Sequence, residues 1–128
     1  MQQFRNAVES RDLDALVALL ADDVVFRSPV VYKPYEGRAQ VEVLLRAVSE
    51  VLEDFRYTRQ IETPDAPDHA LVFHARVGER EVEGCDFIHT NGDGLIDELY
   101  VMLRPLSGVL AVAEAMKRQL ALTESSEV

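Results

Sequence analysis

The sequence predicts an α+β domain in which helices cover one face of an antiparallel sheet, and three observations support this. The chain has 128 residues, 48% of them apolar, which suits a single compact core. Apolar residues recur at helical spacing near both ends and in one central segment, whereas between residues 55 and 103 they alternate with polar ones. Helices that are segregated from a run of strands pack on one sheet face, so the other face must be covered elsewhere.

Two short amphipathic helices are predicted at the N-terminus, separated by a break at Ser10-Arg11-Asp12. Asp12 can accept a hydrogen bond from the free backbone N–H groups that begin the second helix, whose positive end also favours its charge. Asp22-Asp23 then ends the second helix. The apolar positions, at i, i+3, i+4 and i+7, are Phe4, Ala7 and Val8 in the first helix and Leu13, Leu16, Val17 and Leu20 in the second.

A short strand and a longer helix follow. Residues 24–28 are rich in β-branched and aromatic side chains, and Pro29 cannot donate to a ladder, so the predicted strand ends there. A loop through Tyr32 and Gly37 leads to a helix that begins at Arg38. Its apolar face, continuous over three turns, consists of Val41, Leu44, Leu45, Val48 and Leu52.

Beyond Asp54 the apolar period changes to two, which predicts a run of strands. Breakers at 63–68, Gly78-Glu79 and residues 91–94 (Asn-Gly-Asp-Gly) supply the turns, because Gly and Asn accept positive φ. Pro105 ends the last strand, and helical spacing resumes in a C-terminal helix. The predicted inner positions are Phe55, Tyr57 and Ile61, then Leu71, Phe73, Ala75 and Val77, then Leu95, Asp97, Leu99, Val101 and Leu103, and in the helix Val109, Val112, Ala113, Met116 and Leu120.

Charge and composition exclude several classes of protein. Lys and Arg number 13 against 23 Asp and Glu, a net charge of −10, so we expect no nucleic-acid partner and no anionic membrane surface. The single cysteine, Cys85, and three scattered histidines predict no disulfide, metal site or cofactor. No apolar run approaches the ~20 residues that span a bilayer, and residues 1–5 lack the charged and then apolar segments of a signal peptide. We therefore expect a cytoplasmic protein with one domain at 1–122 and a flexible tail at 123–128.

Three segments resemble the nuclear transport factor 2-like superfamily, in particular its SnoaL-like branch and, more distantly, ketosteroid isomerase. They are residues 11–29 (RDLDALVALLADDVVFRSP), the helix start at Gly37-Arg38, and residues 86–96 (DFIHTNGDGLI). The resemblance extends from Phe4 to Arg104 and implies a cone-shaped roll, in which a curved sheet wraps the long helix and encloses an apolar pocket. Members of this superfamily include isomerases, cyclases, hydrolases and non-catalytic binding domains, so the fold alone does not select a function.

The resemblance also carries three positions over from ketosteroid isomerase. Its carboxylate base falls on Ser28, its tyrosine on Phe4 and its aspartic acid on Asp86, and only the last is retained. A serine has no useful basicity near neutral pH, and a phenylalanine cannot donate a hydrogen bond to an oxyanion. Steroid double-bond isomerisation by that mechanism is therefore not expected.

Asp86 is the candidate catalytic residue. Alternation along Val82, Gly84, Asp86 and Ile88 places it among apolar or small residues, where desolvation would raise its pKa and leave a group able to act as an acid. In ketosteroid isomerase the same effect keeps an aspartic acid protonated. With the opposite parity, Asp86 would be a solvated or salt-bridged surface charge. The residues predicted to line the pocket and bind a ligand are Phe26, Ser28, Tyr57, Phe73, Ile88, Leu99 and Val101.

Several other residues admit two interpretations. Tyr57 is either a core tyrosine or a ligand contact, and Asp97 is either a solvated strand end or a catalytic partner. Tyr32 and Tyr35 lie either at the pocket mouth or in a plain loop. Ser28 has no G-x-S-x-G elbow, so its hydroxyl is expected to line the pocket or cap a turn rather than to act as a nucleophile.

The outer sheet face is predicted to be a homodimer interface. Tyr100, Met102 and Phe87 make it too apolar to leave in water, and His74 and His89 are then interface or surface residues rather than a general base. The C-terminal helix either packs against the core or covers a pocket edge or the dimer seam.

Three functions remain open from the sequence. The first is acid/base catalysis on a small, largely apolar carbonyl, epoxide or hydroxy compound, centred on Asp86 and without a cofactor. The second is a non-catalytic dimeric module that binds an apolar metabolite in the same pocket. The third is a structural dimer with a filled core and an ionised Asp86.

Overall fold

The computed structural model describes the backbone of residues 1–126 and the side chains of residues 1–122. Within residues 1–126, four helices and six strands follow the predicted order, with the helices apart from a run of strands, which confirms the α+β class. The elements are α1 (Gln2–Glu9), α2 (Leu13–Ala18), β1 (Leu20–Arg27), β2 (Tyr35–Glu36), α3 (Arg38–Val51), β3 (Glu53–Ile61), β4 (Asp68–Val77), β5 (Arg80–Thr90), β6 (Ile96–Arg104) and α4 (Leu106–Ser126).

The strands form one curved, unclosed sheet in the order β2-β1-β6-β5-β4-β3. The pairing is antiparallel as predicted except between β1 and β6, which run parallel. The main core joins α1, α2 and α3 to one face of this sheet, with Leu20, Val41, Leu71, Phe73 and Ile88 almost fully buried at its centre. This arrangement is the predicted cone-shaped roll around the long helix.

The N-terminal half confirms most of the predicted elements and corrects two boundaries. Asp12 caps α2 as predicted, since its Oδ1 accepts a hydrogen bond from Ala15 N at 3.1 Å. The second helix ends at Ala18, however, and the first strand begins at Leu20 rather than Val24. The apolar residues at 20, 21 and 24 are buried there as strand residues, so helical spacing misassigned Leu20.

Two predicted sheet faces are wrong at one end because the register shifts. Ile61 was expected to share the inner face with Tyr57, but an irregularity between Tyr57 and Arg59 leaves the residue 62% exposed. On β6 a shift opposite His89 and Thr90 buries Ile96 and turns Asp97 away from the inner row. Beyond each irregularity the alternation continues with the opposite parity.

The C-terminal helix α4 packs directly on the sheet. Gly108 is buried, and a Cβ at that position would lie 2.5 Å from Val82 Cγ1, so the missing side chain permits the close approach. Val112 is buried in a second cluster with Ala75 and Val82. Within residues 1–126, none of the helices has the length and apolar character needed to cross a membrane. The predicted tail at 123–128 lies outside the described side chains, although the backbone of α4 continues to Ser126.

Candidate functional site

A cavity of about 580 Å³ lies between the helices and the inner face of the sheet. Each helix and each strand described above contributes to its wall, so the cavity occupies the interior of the cone. The lining is mostly apolar, with Phe26, Phe73 and Leu99 on the sheet side and Leu44 and Leu45 on α3. Its volume falls within the roughly 300–1,000 Å³ usual for small-molecule sites.

Asp86 lies in the wall of this cavity, with the parity that the alternation of β5 predicts. It is placed between Leu71 of β4 and Val101 of β6, and its residue surface is only 7% exposed. The Tyr57 hydroxyl donates a 2.6 Å hydrogen bond to Asp86 Oδ2. Among the described residues, no hydrogen bond engages the second carboxyl oxygen, Oδ1.

Burial controls the protonation of this pair. Desolvation raises the pKa of Asp86 to about 7, and the hydrogen bond from Tyr57 opposes that shift because it favours the ionised carboxylate. Burial, followed by the nearby Asp86 charge, also raises the pKa of Tyr57 above its ordinary value. Tyr57 therefore remains a hydrogen-bond donor while Asp86 gains and loses a proton near neutral pH, as a general acid or base requires.

Aromatic packing fixes the position of the Tyr57 ring. Phe55 meets it edge-on at 4.9 Å between centroids, and Phe73 does so at 6.4 Å. Phe73 in turn occupies the space above Gly84, where a Cβ would lie 2.4 Å from Phe73 Cζ. The glycine at position 84 thus leaves room for the Phe73 ring to approach β5 closely, two residues from Asp86.

The structure brings most of the predicted site residues together. Ile88 differs, because it is 1% exposed in the core and does not line the cavity. Whether any of these residues contacts a ligand stays a prediction. The predicted residues that do line the cavity are Phe26, Ser28, Tyr57, Phe73, Asp86, Leu99 and Val101.

The three positions carried over from ketosteroid isomerase also share this cavity. Phe4, Ser28 and Asp86 all belong to its wall. The Ser28 hydroxyl oxygen accepts hydrogen bonds from the backbone N–H groups of Val30 at 3.0 Å and Val31 at 3.3 Å. Ser28 therefore both lines the cavity and caps the turn after β1, which combines the two roles expected of it.

Most of the other candidates lie away from the cavity. Asp97 accepts a hydrogen bond at 2.5 Å from His89 Nδ1, on the sheet face opposite Asp86, so the structure does not pair it with the candidate acid. His74 Nε2 lies 2.8 Å from a carboxylate oxygen of Glu83. Of the two loop tyrosines, Tyr35 lines the cavity whereas Tyr32 is fully exposed.

The sequence missed two features of the site. The Tyr57–Asp86 hydrogen bond joins β3 to β5, which are separated by β4, so no pairing of adjacent strands could reveal it. The charged rim was also missed: Glu9, Arg11, Asp54 and Lys117 belong to the lining. The signal that could have indicated Lys117 was the apolar stripe of the last helix, which the sequence allowed to cover a pocket edge. Val112, Met116 and Leu120 of that stripe do line the cavity.

The described residues offer no grouping of three or more His, Cys, Asp or Glu side chains that could hold a metal ion. The chemistry that the site itself presents is a proton-exchanging carboxyl group and a phenolic donor in a largely apolar chamber. Such a chamber strengthens electrostatic interactions with a bound polar group, because the surrounding dielectric is low.

Comparison with known proteins places this architecture in a family. The SnoaL-like domain matches residues 1–99. A crystal structure of a steroid delta-isomerase from Pseudomonas aeruginosa is 44% identical, with a TM-score of 0.92 over 97% of this chain and 90% of that one. A protein with a cystatin-like fold from Silicibacter pomeroyi is 36% identical, with a TM-score of 0.88 over 94% of this chain and 84% of that one.

More distant structures share the fold alone. The epoxide hydrolase/cyclase-like enzyme SalBIII, which has a role in pyran ring formation in salinomycin, is 18% identical, with a TM-score of 0.68 over 84% of this chain and 88% of that one. No curated protein matches the sequence. From the domain match and the two closer structures, the chain belongs to the SnoaL-like family of the nuclear transport factor 2-like fold.

Proposed function

We propose that the protein binds a small, largely apolar molecule carrying a carbonyl or hydroxyl group, and that Asp86 exchanges a proton with it. The observation that supports this is the buried Asp86–Tyr57 pair in the wall of an apolar cavity. A pKa of about 7 for Asp86 leaves both of its protonation states populated at neutral pH. General acid–base groups are most effective when their pKa lies near the working pH.

The pair divides the chemical work between its two members. A protonated Asp86 donates a hydrogen bond to a carbonyl oxygen and can transfer its proton as negative charge develops there. An ionised Asp86 accepts a proton from the substrate instead. Tyr57 stays protonated throughout and holds the carboxyl group in place, so its role is positioning. No cofactor is needed for either transfer.

A ketone of steroid size is the first substrate class to test. The cavity volume accommodates such a molecule, and the 44% identical Pseudomonas aeruginosa protein is a steroid delta-isomerase. Ser28 and Phe4 nevertheless stand where ketosteroid isomerase, by resemblance, has its base and its tyrosine. The proposed reaction is therefore proton exchange centred on Asp86, without a second carboxylate at position 28.

Binding without catalysis is a second candidate, and Ser28 favours it. Its hydroxyl oxygen already accepts two backbone hydrogen bonds within its own turn, and a serine is not basic near neutral pH. In that case the same cavity would hold an apolar metabolite, and Asp86 would only hydrogen-bond its polar group.

Hydrogen–deuterium exchange at the carbon next to the ketone separates these candidates. The exchange is followed by NMR in D₂O with a series of steroid ketones, for the wild type, Asp86→Asn and the matched control Asp97→Asn on the outer face. We expect the wild type and Asp97→Asn to accelerate exchange, and Asp86→Asn to lose about 100-fold or more of that rate. Binding without accelerated exchange would favour the second candidate, and no binding of any ketone would overturn both.

We further propose that two copies associate through the outer sheet face. Phe87 and Tyr100 face each other across β5 and β6, and with Met102 they are 42%, 38% and 51% exposed. A contiguous apolar patch of this kind suits a self-complementary interface. Light scattering should give a dimer mass for the wild type and for the α4 control Leu110→Glu, but a monomer mass for Met102→Glu. A monomeric wild type would contradict the proposal.

A further inference from the structure

The charged residues of the cavity lining are unequally neutralised. Glu9 lies 3.1 Å from the Arg5 guanidinium, and Asp54 lies 2.6 Å from that of Arg76. Arg11 donates a 2.7 Å hydrogen bond to the Ser49 carbonyl and lies 4.0 Å from Glu50. Asp86 has its hydrogen bond from Tyr57.

Lys117 is the lining residue that keeps its charge uncompensated: among the described side chains, no ion pair or hydrogen bond engages it. The sequence of α4 explains why. Residues four positions away in either direction are Ala113 and Ala121, which cannot pair with it. Glu114, three positions earlier, lies 3.4 Å from Arg118 instead.

Lys117 lies in the cavity wall, at an exposed position of α4. Its neighbours Met116 and Leu120 also line the cavity, so the lysine projects from an apolar strip of α4. The side chain is exposed, whereas Asp86 is buried. A lysine packs its methylene stem on apolar surface and reaches water with its ammonium group. Low-dielectric walls beside such a cation concentrate its field toward an incoming anion.

We propose that Lys117 binds an anionic group of the ligand, so that the ligand is an apolar molecule with a neutral polar group at Asp86 and an anionic group at the cavity mouth. This inference rests on the proposed function, because it assigns the far end of the same ligand. It makes Lys117 a specificity-determining residue, and it explains how a chain with a net charge of −10 can admit an anion. A carboxylate is the simplest group that fits a lone ammonium partner.

The test compares a charged probe with a neutral one that carries the same ring system. One is a steroid ketone with a carboxylate at the end of the ring system away from the ketone, and the other is its methyl ester. Dissociation constants are measured by calorimetry for the wild type, Lys117→Gln and Arg118→Gln. Arg118→Gln is the matched control because it removes the same charge from the adjacent position of α4. The Arg118 side chain is 67% exposed.

The wild type should bind the acid about tenfold more tightly than the ester, as a hydrogen bond to a charged group would give. Lys117→Gln should lose that preference through weaker binding of the acid alone, and Arg118→Gln should keep it. Equal affinities of the wild type for the two probes, or equal losses in both variants, would overturn the inference. In either case, the proposed function would stand if hydrogen–deuterium exchange of the ester probe still depended on Asp86. Failure of both probes to bind would overturn the two proposals together.

Discussion

Two hydrogen-bonded pairs of ionisable side chains each include a residue of β5, and they lie on opposite faces of the sheet. On the inner face Tyr57 and Asp86 are 2.6 Å apart, and on the outer face His89 and Asp97 are 2.5 Å apart. Burial raises the pKa of Asp86 to about 7, whereas the hydrogen bond that His89 donates to Asp97 is the main cause of the raised pKa of His89. Exclusion of water rather than pairing therefore distinguishes the candidate catalytic group from a surface ion pair.

The largest effect expected from this contrast is on the pH dependence of stability. Folding raises the pKa of Asp86 from 3.8 to about 7, so the native state favours the protonated carboxyl. The stability that the protonated carboxyl adds is fully present below pH 3.8 and is lost as the pH rises to about 7. Above that pH the free energy of unfolding no longer changes through Asp86. The free energy of unfolding of the wild type should fall by about 4 kcal/mol relative to Asp86→Asn across this window.

Denaturant unfolding of both proteins between pH 4 and pH 8 measures this difference. Asp97→Asn is the control, since it removes a carboxylate from the exposed pair and should not reproduce the change. A stability gap between wild type and Asp86→Asn that stays constant with pH would mean that Asp86 is not desolvated.

A methyl group added to the inner face tests how closely Phe73 packs against β5. In Gly84→Ala the new Cβ would lie 2.4 Å from Phe73 Cζ and 2.6 Å from the Met102 carbonyl oxygen, and the second of these is backbone that cannot rotate away. We expect a loss of about 3 kcal/mol in the free energy of unfolding. Gly92→Ala, in the turn after β5, meets nothing within 4 Å and should change stability by less than about 0.5 kcal/mol. Equal effects would show that the Phe73 ring adapts freely.

Tyr57→Phe tests whether the tyrosine positions Asp86. The hydrogen bond from Tyr57 lowers the pKa of Asp86, so its removal should raise that pKa above about 7. The variant should also lose about 1–2 kcal/mol of stability above neutral pH, where the carboxylate is ionised and unpaired. NMR titration of the Asp86 carboxyl carbon measures the shift, with Tyr35→Phe as the control elsewhere in the lining. A lower pKa in Tyr57→Phe would contradict the assigned hydrogen bond.

Much of the fold follows from periodicity, and so does the orientation of Asp86. Along β5 the alternation of Val82, Gly84, Asp86 and Ile88 is uninterrupted, and all four are buried. The apolar stripe of α3 likewise predicts Val41, Leu44 and Leu45 as core. Where a strand pairs regularly with both neighbours, the sequence determines which side chains face inward.

The failures occur where that regularity stops. Ile61 and Ile96 lie beyond register shifts, and a shift of one residue reverses the face without leaving a clear signal in the sequence. The two-residue strand β2 is too short to show a period. Contacts between non-adjacent elements, such as Tyr57 with Asp86 or Lys117 with the cavity, depend on how the sheet curves and where α4 docks.

The smallest expected effect concerns the exposed pair. Because Asp97 raises the pKa of His89, the stability that the pair adds is fully present below the ordinary pKa of histidine, 6.5, and is lost as the pH rises through the raised value. Their side chains are 37% and 30% exposed, so a double-mutant cycle of His89→Gln and Asp97→Asn at pH 6 should give a coupling energy of less than about 1 kcal/mol. That coupling should weaken in 1 M salt, because solvent-exposed charges are screened. The same cycle with Tyr57→Phe and Asp86→Asn should be insensitive to salt. A salt-resistant coupling on the outer face would mean that a partner covers His89 and Asp97 in solution, which would remove the difference in water access between the two pairs.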